Sequence, residues 1–226
     1  MTLYSYVVSH DFGFAPNPFH GVCTLATCKP AIRKNACVGD YVVGTGCAKR
    51  NRQGYLVYFM LISETITFDQ YWTDQRYQVK KPNLRSSIIY AFGDNIYHRA
   101  ERGKWVQEKS VHSYENGRSN PVNIRTDTKS DRVLIATDFL YFGRAGPEIP
   151  EQFRKTKEQD ICGKRYYRKN LSPDLVANFI GWLRQLGTQG YAGDPLDWRT
   201  NWATKTFMSD RRRKEISINR NAWIRR

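Results

Sequence analysis

Apolar positions along this chain come mostly in short runs rather than at helical spacing. LYSYVVS, at the start, is rich in β-branched and aromatic residues and predicts a strand that delivers the chain into the loop HDFGFAPNPF. In CTLATCKPAIRKNACVGDYVVGTG, Pro30 and the pair Gly39-Asp40 act as breakers. A short helical turn fits Ala31 to Asn35, and Asp40 to Thr45 reads as a second strand. The basic turn AKRNRQG leads into YLVYFMLISETITF, a long or bent strand that pairs with the preceding one as a hairpin. Residues 69–85 mix aromatic and charged positions without a clean period, which fits a helical turn and loop. IIYAFGDNIYHR reads as a strand running into a turn at Gly93-Asp94-Asn95, and RGKWVQEKSVHSYENGRSNP as a long irregular excursion. DRVLIATDFLYFG then supplies a strand pair bent at Thr137-Asp138.

Helical spacing is clear in one place. Ser172 as N-cap, Pro173 at the first helical position and Gly187 past the end bracket Leu175, Val176, Phe179, Ile180, Leu183 and Leu186 on one face. The elements together predict a β-dominated α+β fold, a small mixed or barrel-like sheet with a C-terminal covering helix. Residues 1–150 would form the core domain and 151–226 a helical, basic extension packed on it, its last residues flexible. No run approaches the ~18 apolar residues of a membrane span, so no membrane partner is expected.

Charge narrows the choice of partner. Lys and Arg number 36 against 21 Asp and Glu, a formal charge of +15, and such an excess favours a polyanion. Basic residues crowd the end of the chain, where Arg211, Arg212, Arg213 and Lys214 form a block near Trp202 and Trp223. Cations interleaved with tryptophan suit phosphates and stacked bases, and a solvated tail is the alternative. Five cysteines, an odd number, follow an opening without a basic stretch, apolar run or cleavage site, so a reduced, cytoplasmic setting is expected.

Chemistry concentrates in residues 9–30, SHDFGFAPNPFHGVCTLATCKP. His20, Cys23 and Cys28 lack the second ligand pair of a zinc knuckle, and neither a metal nor any other cofactor is expected. An iron site could be drawn from His10, Asp11 and a distant His98 or His112, although four histidines in any chain of this length permit such a drawing. Cys28 precedes Lys29, whose ammonium would favour a thiolate, but the apolar LATC setting also suits a core cysteine. His10 and Asp11 resemble an acid–base pair, yet neighbours on a strand point to opposite faces. The phosphate-loop, nucleophile-elbow and zinc-helix signatures of common enzymes do not occur.

A recognition pocket is the other reading. Pro16 and Pro18 hold Asn17 in extended backbone among Phe12, Phe14 and Phe19, so an amide could read a base edge while rings stack on its faces. Thr45 and Gly46 at a strand end, and Asn95, Tyr97 and His98 after the Gly93 turn, would complete the pocket. Lys29, Arg33, Lys34 and the Arg211 to Lys214 block would hold phosphates.

HDFGFAPNPF, CTLATCKPAIR, GDYVVGTG, YAFGDNIYHR and DRVLIATDFLYFGRAGPEIP, in that order over residues 3–150, resemble the motifs of the second nucleotide modification associated domain family. That resemblance implies a role around modified nucleotides in bacterial or phage base-modification systems, phage defence included. VGDYVVGTG followed by LVYFMLISETITF is more loosely similar to PUA-like domains such as EVE and YTH, in which a small barrel holds a modified base in an aromatic cage. The expectation is a protein that binds nucleic acid, DNA before RNA, or a nucleotide, and recognises a modified or flipped base. Its alternatives are an enzyme using His10, Asp11 or Cys28, and a subunit that contacts a protein partner of such a system.

Overall fold

Strict alternation along the first strand sends Leu3 to one side and Tyr4, Tyr6 and Val8 to the other, and both sides are buried. A sheet covered on both faces explains why its strands read as nearly unbroken apolar runs. The computed structural model describes residues 1–199 apart from 155, 157, 158, 164, 165 and 188. In chain order the elements are β1 (Leu3–Val8), β2 (Cys23–Leu25), α1 (Pro30–Asn35), β3 (Tyr41–Gly46), β4 (Leu56–Leu61), β5 (Glu64–Ile66), α2 (Phe68–Thr73), α3 (Ile88–Ala91), β6 (Tyr97–Arg99), β7 (Trp105–Gln107), α4 (Pro121–Asp127), β8 (Val133–Ala136), β9 (Asp138–Tyr141), β10 (Tyr167–Arg168), α5 (Pro173–Gln185) and β11 (Gly190–Tyr191).

Six strands form a mixed sheet in the order β10-β1-β3-β4-β9-β11, with β1 parallel to β3 and β9 parallel to β11. The expected hairpin is the antiparallel β3–β4 pair, and a bulge there takes the register from Gly44 opposite Tyr58 to Thr45 opposite Leu56. Val57 is therefore the extra residue, which twists the strand as it leaves the pair. The long strand does bend: β4 pairs with β9, then the chain turns at Ile62-Ser63 and β5 pairs with β8 in a second sheet, β2-β8-β5. β8 and β9 make the matching bend at Thr137. Both sheets stay open among the described residues, so the mixed-sheet form of the expectation describes the fold and no barrel closes.

Helix α5 forms where its spacing predicts. The Ser172 side chain accepts the Leu175 N–H, Pro173 opens the first turn, and Gly187 follows the end at φ 80°. Its Val176, Phe179 and Leu183 pack with Leu3, Tyr41, Phe59 and Leu140 on one face of the sheet, while Tyr6, Tyr58, Met60 and Tyr141 fill the other.

Two segments differ from the sequence reading. Ile88–Ala91 is a helical turn, not a strand, because a short apolar run carries no period that separates the two. The stretch expected to be irregular, residues 102–121, holds β7, and α4 starts at its last residue. Asn120 caps α4 by accepting from the Val122 and Asn123 N–H groups, with Pro121 in the first turn, a start signal present in the sequence.

Candidate functional site

The loop after β1 is buried rather than open. Asn17 is 1% exposed, donates from Nδ2 to the Phe92 carbonyl at 3.0 Å, and accepts from Lys80 Nζ at 2.8 Å. Lys80 is fully buried and also reaches the Asn17 and Val22 carbonyls and the Thr24 hydroxyl. Thr24 in turn donates to Asp94 at 2.6 Å, and the Tyr71 hydroxyl donates to the other Asp94 oxygen at 2.8 Å. Burial lowers the Lys80 pKa to about 8, against the pull of the Asp94 charge, and burial raises Asp94. This network ties the first loop to the Gly93 turn, and sequence reasoning missed its hub because nothing distinguishes Lys80 from neighbouring Lys81.

His10 and Asp11 differ in burial, and both lie beside Asp197, which His10 Nδ1 approaches to 4.0 Å. The His10 side chain is 56% exposed, whereas Asp11 is buried and accepts from the Tyr141 hydroxyl and the Leu196 N–H. Burial raises Asp11 to about 6, offset by those hydrogen bonds and reinforced by the Asp197 charge. Asp197 accepts the Asp11 N–H and pairs with Arg50 at 2.6 Å, so residues 194–198 strap across the loop. Trp198 completes the strap by donating to the Phe12 carbonyl.

The remaining sequence-predicted residues lie in several places. Phe12 stacks on Phe92 and Phe14 meets the His112 ring edge-on, both phenylalanines being buried. Thr45 donates to the Tyr6 carbonyl, and Gly46 continues the β3–β4 pairing. Asn95 is buried and donates to the Tyr71 and Tyr77 carbonyls. His98 stacks on Trp72 at 4.2 Å and meets Glu108 at 3.0 Å. Lys29 lies over the Tyr6 ring, Lys34 is exposed, and Arg33 is fully buried with its guanidinium on four backbone carbonyls. Arg211, Arg212, Arg213 and Lys214 lie outside the described residues.

Two arrangements stand out chemically. Cys28 follows β2 with φ 57°, a left-handed conformation unusual for any residue but glycine, and Lys29 repeats it at φ 39°. The Cys28 sulfur lies 3.5 Å from His112 Nε2, and His112 Nδ1 donates to Asp127 Oδ2 at 2.7 Å. Asp127 Oδ1 accepts the Cys28 N–H at 2.8 Å, while its Oδ2 also accepts the Tyr97 hydroxyl. Burial pulls the His112 imidazolium down, but the Cys28 sulfur and the Asp127 carboxylate outweigh it and hold it up at about 10. These three donors fall within 4.8 Å of one another, as metal ligands would. Both carboxylate oxygens already accept hydrogen bonds, Oδ2 from the ring and Oδ1 from the Cys28 N–H, so the donor set reads as a relay and not as a metal shell.

The second arrangement is a cleft of about 530 Å³ lined by Phe19, His20, Tyr90, Thr137, Gln189 and Tyr191 among others. Tyr90 and Tyr191 are 37% and 39% exposed, large rings left partly bare at its walls. The Phe19 and Tyr191 centroids lie 5.4 Å apart and those of His20 and Tyr90 4.8 Å apart. Among the described residues the Thr137 hydroxyl, the Gln189 amide and the His20 ring have no hydrogen-bond partner. Burial, then the Lys80 charge, lowers the His20 pKa, so at neutral pH the ring offers one donor and one acceptor. Phe19 was legible as part of the first loop, whereas Tyr90 and Tyr191 come from segments 71 and 172 positions further on, obtained as 90 − 19 and 191 − 19.

The fold is a mixed α and β protein with open sheets and a covering helix, and it carries an aromatic cleft and a cysteine–histidine–aspartate cluster. Residues 1–202 match the family model for nucleotide modification associated domain 2, and the chain belongs to that family. Membership ties it to nucleotide modification. Neither the curated proteins nor the solved structures offer a match. No helix among the described residues is long and apolar enough to cross a membrane.

Proposed function

We propose that the protein binds nucleic acid, or a nucleotide, and receives a modified or flipped base in the cleft between Phe19, His20, Tyr90 and Tyr191. The observation that carries this reading is the pairing of partly bare rings with unpartnered hydrogen-bonding groups in one cavity of about 530 Å³. Rings stack on any base, whereas the few polar groups at the edge discriminate among them. Family membership supports a nucleotide ligand, and the +15 charge supports a polyanionic one, with DNA the first to test. In this reading the Arg211 to Lys214 tract and Lys34 contact phosphates, and Asn17 keeps the cleft in shape from below through Lys80 and Phe92.

Tyr90→Ala is expected to weaken binding to an oligodeoxynucleotide that carries the preferred base. One base stacked on a ring is worth about 1–3 kcal/mol, roughly 5- to 150-fold in Kd. Alanines at Arg211, Arg212 and Arg213 are expected to weaken all oligonucleotides alike. They should also flatten the salt dependence by about 0.7–0.9 for each phosphate that no longer has its cation. Fluorescence anisotropy at several salt concentrations separates the two effects. Unchanged affinity in Tyr90→Ala for every base tested would rule out the cleft as the base-binding site.

A further inference from the structure

We propose that Cys28 is a catalytic nucleophile, His112 its acid–base partner and Asp127 the positioning residue that orients the ring, in a site that hydrolyses an amide or ester borne by a nucleotide or modified base. The three residues meet across the fold: 84 positions separate Cys28 from His112, and 99 separate it from Asp127. Their contacts have a definite polarity. Asp127 accepts the hydrogen bond from Nδ1–H, which leaves Nε2 facing the sulfur as the atom that can accept and return a proton.

Several further contacts hold the relay in place. Asn123 Nδ2 and Gln107 Nε2 both donate to the His112 carbonyl, and Gln107 also donates to the Tyr97 hydroxyl that itself donates to Asp127. Arg33 bonds the carbonyls of Cys28 and Asp127 and so fixes one against the other. Cys28 is partly exposed, and ligand access to its sulfur is part of the proposal. Its side-chain partner is an imidazole and not a second thiol, so the geometry offers acyl chemistry and not disulfide exchange.

The reaction balances with water alone. The Cys28 thiolate forms a C–S bond to the carbonyl carbon, and the C=O π pair moves to oxygen. Collapse breaks the bond to the amine or alcohol, which leaves with the proton held on His112 Nε2. Water then attacks the thioester, gives its proton to His112, and releases the acid and the thiolate. The nucleotide portion of the substrate rests on family membership, whereas the thiol chemistry depends on neither nucleotide nor cleft.

The reactivity of Cys28 depends on the charged and titratable groups that face it among the described residues: His112 and Asp127, Lys29 on its own segment, Arg33 of α1, and the neutral phenols of Tyr6 in β1 and Tyr97 in β6. The test is alkylation of the full chain by iodoacetamide across a pH series, with each cysteine followed by peptide mass spectrometry and exposed Cys37 as internal reference. At about pH 6 Cys28 is expected to react at least about tenfold faster than Cys37, because the His112 ring stands 3.5 Å from its sulfur to take the thiol proton. His112→Gln should abolish the advantage, and Asp127→Asn should shift the pH profile while leaving some of it. With p-nitrophenyl acetate as acyl probe, a burst of nitrophenolate should accompany one acetyl group on Cys28, absent in Cys28→Ser. The proposal is overturned if folded wild-type protein alkylates Cys28 no faster than Cys37 at that pH. It is equally overturned if Cys28→Ser, with an unchanged melting curve, turns over the ester as well as wild type. Either result would leave base binding in the cleft untouched, because neither measurement involves a nucleotide.

Discussion

Arg33→Met is expected to lower the unfolding free energy by about 4–5 kcal/mol, near the far end of what single substitutions do. The Arg33 side chain is completely buried. Its Nε donates to the Cys28 carbonyl, Nη1 to the carbonyls of Ser130 and Arg132, and Nη2 to that of Asp127. Methionine fills similar space but leaves four carbonyls without a donor, and each unsatisfied buried acceptor costs about 1–3 kcal/mol before relaxation. These carbonyls lie on the Cys28 turn and on the chain from the end of α4 into β8, so the variant should also separate Cys28 from Asp127. Urea unfolding with and without the substitution gives the energy directly. A loss under about 1 kcal/mol would mean that water satisfies these carbonyls as well as the guanidinium does.

Lys80→Met is expected to cost about 3–5 kcal/mol, the range for removing one partner of a buried charge pair. The ammonium serves Asn17, Val22 and Thr24, and through Thr24 it faces Asp94, which would be left as the lone buried charge. A pH signature accompanies this cost. Burial brings Lys80 down from 10.5 to about 8, so between those values the unfolded chain binds the proton that the folded chain has shed. The contribution of this group to stability therefore rises with pH from about 8 to about 10.5, by roughly 3 kcal/mol at 1.36 kcal/mol per unit. The difference in stability between wild type and Lys80→Met should widen across that window. A difference independent of pH there would place the Lys80 pKa near that of an ordinary lysine.

The sheet is legible in the sequence because its causes are local. β-branched and aromatic runs, glycine breakers and the Ser172-Pro173 start mark β1, β3, β4, β8, β9 and α5, and each appears where its run falls. The bends at Ile62-Ser63 and Thr137 are also readable as interruptions of apolar runs. The site is legible only in part. Lys29 singles out Cys28, but its partners His112 and Asp127 arrive from a segment without apolar periodicity, and only the Asn120-Pro121 start of α4 could have signalled part of it. Residue types alone allow His112 to join His10 and Asp11, whereas the fold sends Asp11 to Tyr141 and His112 to Asp127. Arg33 and Lys80 have no sequence signal at all: a cation that turns inward to serve carbonyls has the same letter as one that meets a phosphate.

Whether a base enters the Phe19–Tyr90–Tyr191 cleft can be read by photo-crosslinking, which reports the residues in contact with the base itself. The full chain would be irradiated with a single-stranded oligodeoxynucleotide carrying one iodouracil, and the adducts mapped by peptide mass spectrometry. Adducts are expected on Tyr90, Tyr191, Phe19 or His20, the rings that line the cleft. Efficient crosslinking confined to residues elsewhere, with all four of these unmodified, would contradict base recognition in the cleft.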